Sequence, residues 1–228
     1  MKKPDVAVIF DMDGTIFDSE RIVLRCWEII GKKYGVPDIG EVFMQCIGTN
    51  KVRTREIVDE HYGKEFPYEK FSAESSVLFR DMTGKEGLPV KPGAKEILQY
   101  LREQKVPLGL ASSTRLAVVT QELKDAGLYD FFGTVVGGDL LKNSKPAPDI
   151  YLMTCERMGV LPENTYAVED SHNGIRSAHS AGLHPVMVPD MMAVTQEMQD
   201  LSEAVFEDLF QVRGYFSEKI EKLPQELF

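Results

Sequence analysis

A short apolar run, Val6-Ala7-Val8-Ile9-Phe10, stops abruptly at Asp11-Met12-Asp13-Gly14-Thr15. The run is too short for a helix and suits a strand buried on both faces, as in a parallel sheet covered by helices. Side chains two residues apart along an extended segment point the same way, so Asp11 and Asp13 are expected to share a side where that strand ends. Gly14 lets the backbone turn sharply just after them. In open α/β sheets, ligands sit beyond the carboxyl ends of the strands. Two carboxylates this close repel each other, and a divalent cation facing a phosphate relieves the repulsion.

After Thr15 the pattern changes from strand to helix. Asp18-Ser19-Glu20 supplies capping residues, and Ile22, Val23, Cys26, Trp27, Ile29 and Ile30 recur at helical spacing until Tyr34-Gly35-Val36-Pro37. Further helices are expected around 39–45, 51–62 and 67–82, with no strand from 16 to 83. The glycine-rich, charged segment 83–89 reads as a return connection. From Val90 helices and strands alternate, with strands expected at 107–111, 134–136, 165–168, 184–188 and near 204–206, and a helical tail to Phe228. The fold class is therefore α/β: a Rossmann-like parallel sheet core from residues 1–15 and 88–228, interrupted by a helical domain over 16–87.

Polar residues fall at the strand ends. Asp11 and Asp13 follow the first strand, Ser112 the second, Lys145 lies in the loop after the third, and Glu169-Asp170 close the fourth. Parallel strands put all those ends on one edge of the sheet. Attack on a phosphate ester is hindered by the negative oxygens, so catalysis there consists mostly of positioning and charge neutralisation. Magnesium takes a few carboxylates plus water and substrate oxygens; Asp11, Asp13 and Asp170 can supply them, with Glu169 as a further acidic ligand or a partner behind the ligands. The Ser112 hydroxyl and neighbouring amides suit phosphate oxygens, Lys145 supplies fixed positive charge, and Asp13 can exchange a proton with the leaving group and with water.

The segments Asp11-Met12-Asp13-Gly14-Thr15, Leu110-Ala111-Ser112-Ser113, Lys145-Pro146-Ala147-Pro148-Asp149 and Val168-Glu169-Asp170-Ser171 resemble, in order, the four motifs of the haloacid dehalogenase-like hydrolase superfamily. The helical insertion resembles that superfamily's C1 cap. The resemblance implies Asp11 as nucleophile, Asp13 as general acid/base with its main-chain oxygen on a magnesium ion, and Glu169 and Asp170 as the remaining metal anchors. It implies Ser112 and Lys145 as phosphate-stabilising groups; Ser113 and Lys51 are the further candidates for substrate or phosphate binding. The branch most similar is the β-phosphoglucomutase-like phosphatases. The mutase has a histidine ten residues after its second aspartate, where this chain has Val23, and a cap arginine where this chain has Lys51, whose ammonium lacks the forked geometry of a guanidinium. A magnesium-dependent sugar-phosphate phosphatase is thus expected, with a sugar phosphomutase as the alternative.

The formal net charge of -10 argues against a nucleic-acid surface and requires positive charge to be concentrated locally if phosphate is bound. Cys26, Cys46 and Cys155 match no metal or disulfide spacing, and no apolar run is long enough to span a bilayer. The expectation is a cytoplasmic enzyme, a monomer or weak dimer, with a small phosphate ester as its partner. Trp27 is expected in the cap core, the four histidines in structural or solvent roles, and Lys51, Arg53 and Arg55 either at the substrate or on a solvated face.

Overall fold

The computed structural model describes residues 6–84 and 87–221. Its sheet contains β1 (Ala7–Phe10), β2 (Leu108–Ser112), β3 (Thr134–Gly137), β4 (Thr165–Glu169), β5 (His184–Met187) and β6 (Ala204–Val205). All pairings are parallel, in the order β3-β2-β1-β4-β5-β6. The helices are α1 (Glu20–Tyr34), α2 (Ile39–Cys46), α3 (Lys51–Tyr62), α4 (Tyr68–Thr83), α5 (Ala94–Glu103), α6 (Leu116–Asp125), α7 (Asp149–Met158), α8 (His172–Ser180), α9 (Gln196–Leu201) and α10 (Leu209–Glu221). Each expected strand is present within a residue or two. The connection at Lys85 and Glu86 and the tail after residue 221 lie outside the described residues.

Side-chain alternation along β1 explains the two-layered core. Val8 and Phe10 pack with Leu108, Leu110 and Val168 against α5, α6 and α10. Ala7 and Ile9 face the other way, toward Ile150, Tyr151 and Cys155 of α7 and Ala178 of α8. Asp11 continues the odd-numbered face and so arrives on the α7 side.

Register turns scattered positions into one rim. Phe10 pairs with both Leu110 and Val168, so Asp11, Ala111 and Glu169 end level. The Asp11 amide donates to the Val168 carbonyl at 2.9 Å, extending the ladder to the first carboxylate.

Helices α1–α4 share a separate core around Trp27, whose ring meets Phe43 and Phe71 edge-on at centroid distances of 5.3 and 5.2 Å. The two crossings between this layer and the sheet run side by side: Asp18 N donates to Pro89 O and Lys91 N to Ile16 O, both at 2.9 Å.

Candidate active site

Lys145 occupies the centre of the rim, with 1% of its side chain exposed. Its Nζ donates to Asp11 Oδ1 at 2.5 Å, to Glu169 Oε1, and to the Ala111 carbonyl at 3.4 Å. Tyr151, one turn into the helix after the lysine loop, donates its hydroxyl to the same Glu169 oxygen at 2.7 Å. The other oxygen, Oε2, accepts from the amides of Asp170 and Ser171 at 3.2 and 3.3 Å and from Ser171 Oγ at 3.1 Å. Glu169 is thus fully engaged inside the fold. Burial alone pulls the lysine pKa down, but Asp11 and Glu169 more than reverse this and keep it charged.

Asp13 is held differently. Ser19 Oγ donates to its Oδ1 at 2.7 Å, while Thr114 Oγ1 and Ser112 Oγ donate to Oδ2 at 3.0 and 3.3 Å. Ser19 does not cap α1 as the sequence suggested. Its backbone is already helical (φ -88°, ψ -36°), which turns the hydroxyl away from the first-turn amides and toward Asp13. Ser112 is fully buried and also accepts from the Thr114 amide at 3.0 Å. Its hydroxyl is therefore occupied beneath Asp13, and Ser113 and Thr114 are the members of this turn that line the cavity.

Oxygens of Asp11, Glu169 and Asp170 come within 4.8 Å of one another, a set able to hold a metal ion. A second such group, Glu20, Asp170 and Asp190, shares Asp170. Burial, partly offset by Lys145 and reinforced by Glu169 and Asp13, pushes the Asp11 carboxyl well up; burial with Glu20 and Glu169 does the same to Asp170. Buried Glu20 Oε2 and Asp190 Oδ2 find no hydrogen-bond partner among the described residues. Concentrated, buried acids with oxygens left over suit a hard divalent cation. Asp190 Oδ1 is met by Lys91 and Arg21, each at 2.9 Å, and Lys91 also donates to Gly14 O at 2.8 Å. Gly14 has φ +82°, and a Cβ there would lie 2.3 Å from Asp170 Oδ2, so the turn after Asp13 requires glycine.

Asp11, Asp13, Glu20 and Asp170 form the floor of a cavity of about 200 Å³. Val23, Trp27, Phe43 and Ile47 wall it from the cap side. Trp27 serves two purposes, cap core and cavity wall. Ser113 Oγ donates to Gly48 O at 3.1 Å and Asn173 Nδ2 to Ile47 O at 3.4 Å, pinning the α2–α3 turn over the floor.

Lys51 is exposed at the start of α3 and is not among the lining residues. Arg53 pairs with Glu56 and Glu60, and Arg55 with Asp59 and Glu69, so those arginines are committed to carboxylates on their own layer. His172 bonds the Ala193 carbonyl at 2.9 Å, His61 meets Asp38, and His184 pairs with Glu203, as structural residues would.

The structure adds Thr15, Ser19, Glu20, Thr114, Tyr151, Ser171 and Asp190 to the residues read from the sequence. Ser171 and Tyr151 sit beside recognisable motifs. Nothing local marks Asp190, which reaches the site only because β5 lies next to β4.

A parallel sheet, a helical layer above it and this rim of acids and lysine suit chemistry on a phosphate ester, and the family and relatives identify a phosphoric monoester hydrolase. The chain belongs to the haloacid dehalogenase-like hydrolases, whose family model matches residues 8–188. It is 31% identical over 184 residues to a phosphorylated carbohydrates phosphatase of Thermotoga maritima, covering 79% of this chain and 83% of that protein. It is 36% identical over 194 residues to a probable pseudouridine-5'-phosphatase of Drosophila melanogaster, covering 80% of each. Among solved structures, a putative beta-phosphoglucomutase from Thermotoga maritima superposes with a TM-score of 0.74 at 27% identity, over 93% of this chain and 99% of that one.

Proposed function

We propose that the protein is a magnesium-dependent phosphatase that hydrolyses a small phosphorylated metabolite, a sugar phosphate or close analogue, through a phosphoryl group carried transiently on Asp11. The observation that carries this reading is the convergence of Asp11, Lys145, Glu169 and Asp170 at one rim beside Asp13. The carbohydrate and nucleoside phosphatases among the relatives support the same substrate class.

In this mechanism Asp11 attacks phosphorus, and the bond to the leaving oxygen breaks as Asp13 gives that oxygen a proton. The hydroxyls of Ser19, Ser112 and Thr114 hold the Asp13 carboxyl toward the cavity. Asp13 then takes a proton from water, which attacks the phosphoryl group and frees Asp11. Lys145 and the Ser113 amide receive phosphate oxygens, and Ser112 acts through Asp13 and through the Thr114 amide that donates to it. Glu169 holds Lys145 in place. When bound among Asp11, Asp170 and the Asp13 main chain, magnesium supplies positive charge to the phosphate oxygens.

The cap spans residues 16–87 and moves over the core about the paired crossings at Ile16–Asp18 and Pro89–Lys91, closing to exclude water. Loss of cap mobility on adding magnesium and a phosphate mimic, read by hydrogen exchange, is the expected result; unchanged exchange contradicts it. The enzyme works in the cytoplasm as a monomer or weak dimer, a setting that keeps its free cysteines reduced. Among the described residues, no helix is long and apolar enough to cross a membrane.

A panel of phosphorylated metabolites with magnesium tests the activity. Inorganic phosphate should accumulate steadily. Isomerised sugar phosphate without net phosphate release would instead support the mutase alternative.

A further inference from the structure

The cavity sets an acidic floor against an apolar cap wall. Lys145 is buried behind that floor against Asp11, on the side of the adjoining cleft. The cap wall opposite is apolar: Val23, Trp27, Phe43 and Ile47, with Trp27 and Phe43 edge-to-face at 5.3 Å. Apart from Glu20 on the floor, the polar side chains that the cap adds are neutral, chiefly the hydroxyls of Ser19, Thr49 and Thr54. Thr49 Oγ1 and Thr54 Oγ1 lie 3.0 Å apart, and Thr49 Oγ1 donates to the Cys46 carbonyl at 2.7 Å.

We infer that the cap selects phosphate monoesters whose alcohol part carries no second anionic group, lays an apolar C–H face on Trp27 and Phe43, and meets Thr49 and Thr54 with hydroxyls. This rests on the phosphatase reading above and narrows its substrate class. A second phosphate or a carboxylate on the leaving group would have to lie against the aromatic wall, stripped of water without a partner. The alternative position is beside Glu20, whose buried carboxylate oxygens offer a second anion acceptors and no donor.

Arg53 lines the adjoining cleft with Thr49 and Lys145, and both it and Arg55 are paired with carboxylates of the cap. Arg53 Nη1 donates to Glu56 and Glu60, both at 3.0 Å, and Arg55 Nε donates to Asp59 at 2.7 Å, with Nη1 on Glu69. Bringing either one to a ligand means breaking two ion pairs. Nor does the wall slide aside in this closed arrangement, because the Ile47–Gly48 turn rests directly on the core. A Cβ at Gly48 (φ +73°) would lie 2.6 Å from Ser171 Oγ. The same wall disfavours mutase chemistry, whose sugar must carry two phosphates at once when the enzyme's phosphoryl group is returned to a sugar monophosphate.

The test is phosphate release by the magnesium-loaded wild-type protein from four esters: a hexitol monophosphate, phosphoglycolate, a hexose bisphosphate and phenyl phosphate. The hexitol ester should exceed phosphoglycolate and the bisphosphate in kcat/KM by at least about 100-fold, as for a group buried without its partner. Thr54→Arg, which places a guanidinium at the wall, should narrow the gap to phosphoglycolate by about tenfold or more. Comparable or higher kcat/KM for phosphoglycolate or the bisphosphate in the wild type overturns the inference, whether or not Thr54→Arg folds. Hydrolysis of phenyl phosphate alongside that result leaves the phosphatase reading standing. Failure to hydrolyse any of the four overturns both.

Discussion

Lys145 Nζ lies 2.5 Å from Asp11 Oδ1, although the two residues are 134 positions apart in the chain. Both are buried, and Glu169 lies on the lysine's other side. The lysine therefore neutralises the surroundings of Asp11, and in the proposed mechanism it receives a phosphate oxygen. Lys145→Ala should lower kcat by about 10²–10³-fold, the scale seen when one preorganised charge-stabilising donor is removed. It also leaves two buried acids without their cation, so the melting temperature should fall in the same variant. Steady-state kinetics and a thermal melt check the two effects separately.

In the proposed mechanism Glu169 acts through Lys145, which donates to it. Glu169→Gln keeps the shape of the side chain but removes half of the negative charge that keeps the lysine in place. A drop in kcat of about 10–100-fold is expected, the range for partners that orient a functional group. Tyr151→Phe removes one of several bonds to Glu169 and should cost about 1 kcal/mol of stability in chemical denaturation.

Gly174, in the first turn of α8, packs directly against the Glu169 carboxylate. An added Cβ would fall 1.9 Å from Glu169 Cδ and 2.0 Å from either oxygen. Gly174→Ala must displace Glu169, and so Lys145. Despite alanine's better helix propensity, the variant should lose about 1–3 kcal/mol of stability, the usual cost of overpacking, and activity should fall with it.

Glu122 of α6 lines the cap–core cleft, and its carboxyl is pushed up to about 8 by burial first, then by Asp13 and Asp125. An acid whose pKa is raised on folding stabilises the fold most below its unfolded value, near 4.3. That contribution is lost as pH rises through the folded value. Wild-type stability should therefore decline between about pH 5 and pH 8 relative to Glu122→Gln. Melting temperatures of both proteins across that window check this, and parallel curves would contradict it.

Much of the rim was readable because buried parallel strands appear as uninterrupted apolar runs and their ends as polar breaks. Asp11, Lys145 and Asp170 could be placed at one edge from strand direction alone. Hydroxyl orientation could not be read this way. Ser19 looked like a helix cap and Ser112 like a cavity hydroxyl, yet both turn to Asp13, because backbone conformation and burial decide where a short side chain points. Lys51 matched a motif position, but its place at the exposed start of α3 takes it away from the cavity wall. Glu20 and Asp190 meet at Asp170 through tertiary packing that no local pattern encodes.

In the proposed mechanism the phosphoryl group passes through Asp11, which makes that residue's covalent state the thing to read. The most direct measurement is mass spectrometry of acid-quenched enzyme during turnover of a sugar phosphate with magnesium. One phosphoryl group should appear on the peptide containing Asp11, and both it and phosphate release should be absent from Asp11→Asn. Phosphoryl transfer to another residue, or wild-type turnover by Asp11→Asn, would contradict the mechanism.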